Sequence, residues 1–418
     1  MIGKGKKVPE SLLEIFAQNP EYSAKLDSLI NAKDKVPFKI FDKKNAEKLF
    51  GKNLNISASQ LEKFNLCRFS YFCNYGLNVR ERQRAEINPM QYGTIVHYIL
   101  ERFFGEYTKE EYLSLEEDKF QKIVCAYLTE YAVKYFGEEQ LESNSFTYRL
   151  KTILDNVMYL MKHIMEELSQ SEFFVADCEL KIGEDIPSYT IVLPDGHKIA
   201  VCGSVDRVDI MQRADITYLR IIDYKTGTKQ FKLSDILYGI NLQMLLYLHS
   251  IEVSGGDKYG EIVPAGILYM PATVPYISSD SLKSIDKLPD ELNKKLKMNG
   301  LLLKDTEIIH GMDKTDVATY IPVKIKAGEP VSSTSLATLA EFGKIFKKVD
   351  MLIAEMGKNI YNGNIEAKPL KGGHDSCEYC PYDSVCAYRQ SNPITCFSVD
   401  NKTVIEEITN EINGKEEE

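Results

Sequence analysis

The sequence has no run of about 18 apolar residues, so no membrane span is expected. Its start, MIGKGKKVPESLLEIF, is basic and then amphipathic. It lacks an apolar core followed by a small-residue cleavage site, so it does not read as an export signal. No internal repeat and no low-complexity tract is visible. There is no G-x-x-x-x-G-K-[ST], hence no nucleotide site of that class. Positive charge is outnumbered: Lys and Arg number 51 against 61 Asp and Glu, a net charge of −10. That argues against a protein that coats nucleic acid over its whole surface, though a local basic groove stays open. A metal centre also needs clustered acids, whose repulsion its cation offsets.

The 418 residues allow two or three domains, or one large domain with helical decoration. Hydrophobic residues make up 44% and charged residues 27%, ordinary values for a globular protein. The nine cysteines are unevenly spread. Cys377, Cys380 and Cys386 cluster near the C-terminus, and Cys67 lies far upstream. Without an export signal, this pattern points to a metal or cluster site rather than disulfides.

Residues 1–55 are Lys-rich, with helical stretches at Ser11–Phe16 and Ala46–Phe50, and read as a peripheral lead-in. Ser57 opens a helix in which Ser59 and Glu62 resemble a capping box. A helix follows Pro89, and Lys109–Phe136 and Glu139–Ser169 repeat apolar residues at helical spacing. From Glu172 the pattern turns to strands: FFVADCELKIG, YTIVLP, KIAVCGSVDRVDIM and TYLRIIDYK. A helix is expected from Leu233 to about Ser250, then a buried strand, EIVPAGILYM. Residues 279–318 are polar and read as an irregular insertion. YIPVKIKA reads as a short strand and Thr334–Asn359 as a helix. The acidic tail after Asn401 is expected to fray. The fold class is therefore α/β, a central mixed sheet flanked by helices.

The chemistry sits in two phrases, Gly203-Ser-Val-Asp206-Arg-Val-Asp209 and Ile221-Ile-Asp223-Tyr-Lys225-Thr-Gly227. Asp223 and Lys225 are two apart and share a strand face. A hairpin joining the two strands brings Asp206 beside Asp223. Two adjacent carboxylates repel unless a cation lies between them, and such oxygen ligands suit Mg²⁺ or Mn²⁺. The backbone carbonyl of Tyr224 would add a ligand. Lys225 would orient water or stabilise developing negative charge. Taken singly, each residue reads more simply as a turn acid or a solvated lysine. The order strand–acid–turn–strand–acid–x–Lys, with polar residues interrupting apolar runs, is the stronger signal.

These phrases resemble the PD-(D/E)XK nuclease superfamily, in its RecB-like branch, which implies a restriction-endonuclease-like sheet. Gly93-Thr-Ile-Val-His97 is similar to that branch's G-x-x-x-H helix, and the resemblance makes His97 a metal ligand. Glu179 matches the upstream strand glutamate. Gln243-Met-Leu-Leu-Tyr247 looks like the Q-x-x-x-Y helix, whose Gln243 and Tyr247 would line the DNA path. The chain from about 55 to 390 resembles the C-terminal nuclease domain of the B subunits of AddAB-type helicase–nucleases. Leu54-Asn-Ile-Ser-Ala-Ser-Gln-Leu-Glu-Lys-Phe64 and Tyr75-Gly-Leu-Asn-Val-Arg-Glu-Arg82 carry that likeness.

In AddB-type nucleases and the RecB-like nucleases of CRISPR systems, which this chain resembles, four cysteines, one before the nuclease core and three after it, hold a [4Fe–4S] cluster. The matching residues are Cys67, Cys377, Cys380 and Cys386. Cys73 competes for the first place, and a zinc site of four cysteines is the alternative. Linking Cys67 to Cys377 closes a loop of about 310 residues, a structural clamp across both ends.

The resemblance implies three parts: a lead-in over 1–55, a nuclease domain over 56–395 with a helical insertion at about 109–169, and a tail over 396–418. It implies a C-terminal piece of a longer subunit, with Met1 an introduced start. It also implies a cytoplasmic bacterial enzyme, a metal-dependent exonuclease. That enzyme would cut single-stranded DNA unwound by a partner A subunit during double-strand-break repair and recombination. The competing readings are a non-catalytic DNA-binding module that keeps the fold, and a CRISPR-associated RecB-like nuclease.

Overall fold

The structure is a computed structural model. It describes residues 10–19, 22–23, 25, 39–80, 89–227, 230–275, 277, 288–332, 334–386, 388 and 393–416. Six strands form the central sheet: β1 (Phe174–Ile182), β2 (Gly203–Arg213), β3 (Ile216–Lys225), β4 (Glu261–Pro271), β5 (Asn299–Leu303) and β6 (Leu336–Ala337). Their spatial order across the sheet is their order in the chain. β1–β2, β2–β3 and β4–β5 pair antiparallel, while β3–β4 and β5–β6 pair parallel, so the sheet is mixed. The middle strands, β3 and β4, are buried along most of their length, as a sheet covered on both faces requires.

The flanking helices are α1 (Ala58–Leu66), α2 (Pro89–Glu106), α3 (Glu117–Phe136), α4 (Asn144–Gln170), α5 (Gln243–Ser254), α6 (Leu339–Tyr361) and α7 (Asn401–Glu416). α2 packs on β1 and β3, and α5 packs on β4, β3 and β1. Short helices Lys109–Leu113 and Glu138–Leu141 precede α3 and α4, so each of the two expected long helices is broken near its start. The expected helix from Leu233 is also two pieces, a 3-10 turn Leu233–Tyr238 and then α5. Gly239 and Asn241, both in the left-handed region, make the break.

Several expectations are corrected. α1 is capped two residues earlier: Ser57 and Gln60 form the reciprocal box, not Ser59 and Glu62. The reading KIAVCGSVDRVDIM divides at Cys202. Lys198–Val201 belongs to a small second sheet, between Asn53–Ile56 and Thr190–Val192. The last residues of the lead-in are thereby a strand of the fold. The expected irregular insertion is ordered over 288–318. It holds a helix, Leu288–Leu296, then β5 of the central sheet, then a helix, Thr306–Met312 capped by Asp305. The first part of that insertion, 279–287, lies outside the described residues, as do Glu81 and Arg82. The helix expected from Thr334 starts at Leu339, behind a Thr338–Glu341 capping box, and ends at Tyr361. The tail does not fray. Val404, Ile408 and Ile412 recur at i, i+4 and i+8, and this buried stripe seats α7 against α6. Lys348 Nζ on α6 donates to Glu411 Oε2 at 2.5 Å.

The α5–α6 contact carries a titratable joint. His249 contacts Asp350 Oδ1 at 3.1 Å and Glu252 Oε2 at 3.2 Å, and stacks on Phe346. Tyr189 donates to the same Asp350 oxygen. Burial alone would lower the His249 pKa, but hydrogen bonds and charge from Asp350 and Glu252 carry it up to about 9. A raised histidine pKa stabilises the fold fully below its unfolded value, and that contribution disappears as pH rises through the folded one. Wild type should therefore lose about 2 kcal/mol of stability between pH 6.5 and 9 that His249→Gln does not lose. Urea midpoints across that range measure it. Parallel pH profiles for the two proteins would refute the joint.

Candidate active site

β2 and β3 set the site by their register. Arg207 lies opposite Ile222, so the next step of the ladder puts Asp206 opposite Asp223. The Tyr224 amide donates to Asp206 Oδ2 at 2.9 Å and fixes that carboxylate. On β1, Cys178 pairs with Arg207 and Leu180 with Val205, so Glu179 also faces Asp206. Glu179 holds a left-handed backbone, φ +50°, inside a strand. Such a conformation costs on the order of 1–3 kcal/mol in a non-glycine residue and persists where the surroundings demand it. Here Ser204 Oγ donates to Glu179 Oε2 at 2.8 Å, and His97 Nδ1 lies 3.3 Å from Oε1.

His97 enters from α2. Its Nε2 lies 3.3 Å from the Tyr224 carbonyl and 3.6 Å from Asp206 Oδ2. Ligand atoms of His97, Glu179 and Asp206 all fall within 4.8 Å of one another, close enough to share one ion. Asp223 is almost fully buried, and its Oδ2 has no hydrogen-bond partner among the described residues. The Lys225 ammonium lies 2.5 Å from that oxygen in charge contact, and also sits 5.7 Å from the Tyr269 ring centre.

The electrostatics fit a cation site. Burial first, then the charge of Asp223, pushes Asp206 up to about 7, against the pull of His97 and the Tyr224 amide. Burial opposes a charged His97. Glu179, Asp206 and the Tyr224 carbonyl outweigh it and raise the ring to about 9. Carboxylates crowded this closely are eased by positive charge, and an oxygen-rich set with one imidazole suits Mg²⁺ or Mn²⁺.

A family model described as the PD-(D/E)XK nuclease superfamily matches residues 55–387. The chain belongs to this superfamily. It is 34% identical over 354 residues to the B subunit of the ATP-dependent helicase/deoxyribonuclease of Thermoanaerobacter sp. (strain X514), covering 82% of this chain and 30% of that protein. The proteins of the same name from Ruminiclostridium cellulolyticum and Clostridium kluyveri are 33% and 35% identical. Each alignment covers 91% of this chain and 34% of the relative. The chain thus spans about a third of the length of the curated relatives it matches.

Within this PD-(D/E)XK fold, the remaining expected site residues, Gln243 and Tyr247, stand on α5. Gln243 is half-buried at the first turn of α5. Tyr247, one turn on, is 5% exposed and reads as a support rather than a surface. Its hydroxyl lies where a Cβ on Gly203 would sit, 2.2 Å away. Only glycine at the start of β2 admits that ring. Ser204 and Tyr269 were not expected. Ser204 is two residues before Asp206 on the same face, so strand period alone would have found it.

The cysteines do converge. Cys67, Cys377, Cys380 and Cys386 line one small enclosed cavity, with Phe69, Ser70 and Tyr388 among its other walls. Cys73 is not in that lining. Burial pushes the Cys67 thiol up, and the charges of Cys380 and Cys377 add to it. Asp375 Oδ1 accepts from the Cys377 amide, and Tyr382 Oη donates to the Val79 carbonyl, tying the late cysteine loop to the early segment. Among the described residues, no three cysteine sulfurs lie within 4.8 Å of one another. Among them too, no helix is long and apolar enough to cross a membrane.

Proposed function

We propose that this chain is the metal-dependent deoxyribonuclease domain of a helicase–nuclease B subunit. It hydrolyses phosphodiester bonds of single-stranded DNA from the strand end, on a strand that a partner A subunit unwinds during double-strand-break repair. The observation that carries this reading is the meeting of His97, Glu179 and Asp206 beside the buried Asp223 and its half-buried partner Lys225. The names of the relatives support the assembly, and its setting would be the bacterial cytoplasm.

Asp206, Glu179 and His97, with Asp223 and the Tyr224 carbonyl beside them, would hold a divalent cation. That ion would supply polarisation of the phosphate and a more acidic water. The chain's own groups do the rest. Lys225 carries its charge at Nζ, where it orients the attacking water and balances charge developing on phosphorus-bound oxygen. The water oxygen bonds to phosphorus as the bond to the leaving nucleotide oxygen breaks. The water gives a proton to solvent, and the leaving oxygen takes one up. Gln243 holds the strand, and Tyr247 steadies the start of β2 beneath it.

End-labelled single-stranded DNA should shorten with Mg²⁺ and stay intact with EDTA, with binding retained in both. DNA that binds but is never cut in Mg²⁺ or Mn²⁺ would favour a binding module that keeps the fold.

The four converging cysteines would hold a [4Fe–4S] cluster as a structural clamp. One zinc with bonds of about 2.3 Å would draw tetrahedral sulfurs to about 3.8 Å from one another. One early cysteine with three late ones, the arrangement that the resemblance assigns to a cluster, favours the larger group. Protein purified without oxygen should contain iron and acid-labile sulfide. Stoichiometric zinc without iron would reverse the choice.

A further inference from the structure

The face of β2 and β3 opposite the site carries three buried charges, and Glu167 of α4 adds a fourth, that the reaction does not use. Arg207 Nε and Nη2 each donate to Asp209 at 2.7 Å, and Nη2 also donates to Glu167 at 3.1 Å. Arg220 donates to Asp209 Oδ2 at 3.0 Å and to Glu167 Oε1 at 2.6 Å, with its guanidinium over the Phe173 ring. All four are fully buried. They form a closed, neutral square joining α4 to β2 and β3. Buried ion pairs of this kind contribute little net stability over apolar residues of similar size, so stability alone does not explain them.

One corner reaches further. Arg207 Nη1 donates to the Tyr224 hydroxyl at 3.4 Å. The Tyr224 ring meets Arg207 and also packs edge-to-face on the His97 ring, 5.7 Å between centroids, while its amide meets Asp206 and its carbonyl meets His97. Arg207 itself is covalently next to Asp206. We propose that Arg207 is a positioning residue for the metal centre, acting through the Tyr224 ring to set where that residue's amide and carbonyl stand. This rests on the function proposed above. It makes the pose of α4, through Glu167, one determinant of the site's geometry.

Three variants test it: Arg207→Lys, Tyr224→Phe and Arg220→Lys. The last disturbs the same square without touching Tyr224. Two quantities are measured on each: free Mn²⁺ by electron paramagnetic resonance during titration, and the thermal midpoint. The expected result is weaker Mn²⁺ binding in Arg207→Lys, by about tenfold, and a smaller loss in Tyr224→Phe. Arg220→Lys should bind within twofold of wild type although its midpoint falls. Wild-type Mn²⁺ affinity in a folded Arg207→Lys would overturn the proposal. An equal loss in Arg220→Lys would also overturn it, since the effect would then belong to the whole square. If Arg207→Lys does not fold, Tyr224→Phe decides: unchanged affinity counts against the proposal. Absence of Mn²⁺ binding in wild type would instead strike the metal-centre reading.

Discussion

Replacing Asp223 by alanine should cut strand cleavage by about 10²–10³-fold while leaving the protein folded and able to bind DNA. The structure gives both halves of that result. Asp223 Oδ2 is buried with no hydrogen-bond partner among the described residues, and its removal takes a charge partner from the Lys225 ammonium. Its nearest charged neighbours are Lys225, which is a quarter exposed and can be solvated, and Asp206, which it repels. Truncation should therefore hold or raise the thermal midpoint, the mark of a residue kept for chemistry at some cost in stability. Cleavage rates on end-labelled DNA and a melting curve make the pair of measurements. Undiminished cutting, or a collapse of the fold, would each contradict the role given to Asp223.

Glu167→Ala should be the most destabilising single change away from the site, by about 3–5 kcal/mol. Glu167 is fully buried and supplies both of its oxygens to Arg207 and Arg220. Its loss leaves two interior guanidinium groups with Asp209 as their only carboxylate, a net buried positive charge. Denaturant midpoints give the size. Replacing Glu167 and Arg220 together by methionine should recover part of the loss, because the charges are removed in balance. A midpoint within experimental scatter of wild type for Glu167→Ala would show that water reaches the square.

Much of the site was legible because its residues sit at strand period. Asp223 and Lys225 two apart, and the short turn between β2 and β3, define one face and one pairing. Other parts were hidden for physical reasons. Glu179 reaches the site through a left-handed backbone that no residue type announces. Nothing in the sequence marks Arg207, Asp209 and Arg220 as interior charges, since only α4 packing over them makes the square. β5 begins Asn299-Gly300, a pair that signals a turn, and its apolar part is three leucines, too short to count. α7 was obscured by its acidic residues although its buried positions keep helical spacing. The helical breaks before α3, α4 and α5 fall at capping residues or left-handed positions, where apolar periodicity carries no information.

The order of strands in the central sheet bears on how the molecule comes together during synthesis. Each of its five pairings joins strands that follow one another along the chain, so each can close as soon as its second strand leaves the ribosome. Asp206 and Asp223 meet across a hairpin, among the earliest of these events. The cavity that gathers Cys67 with Cys377, Cys380 and Cys386 waits for almost the whole chain. The acids of the cutting centre are thus assembled long before the ends are tied, and whatever fills the cysteine cavity arrives at a domain whose sheet is already complete.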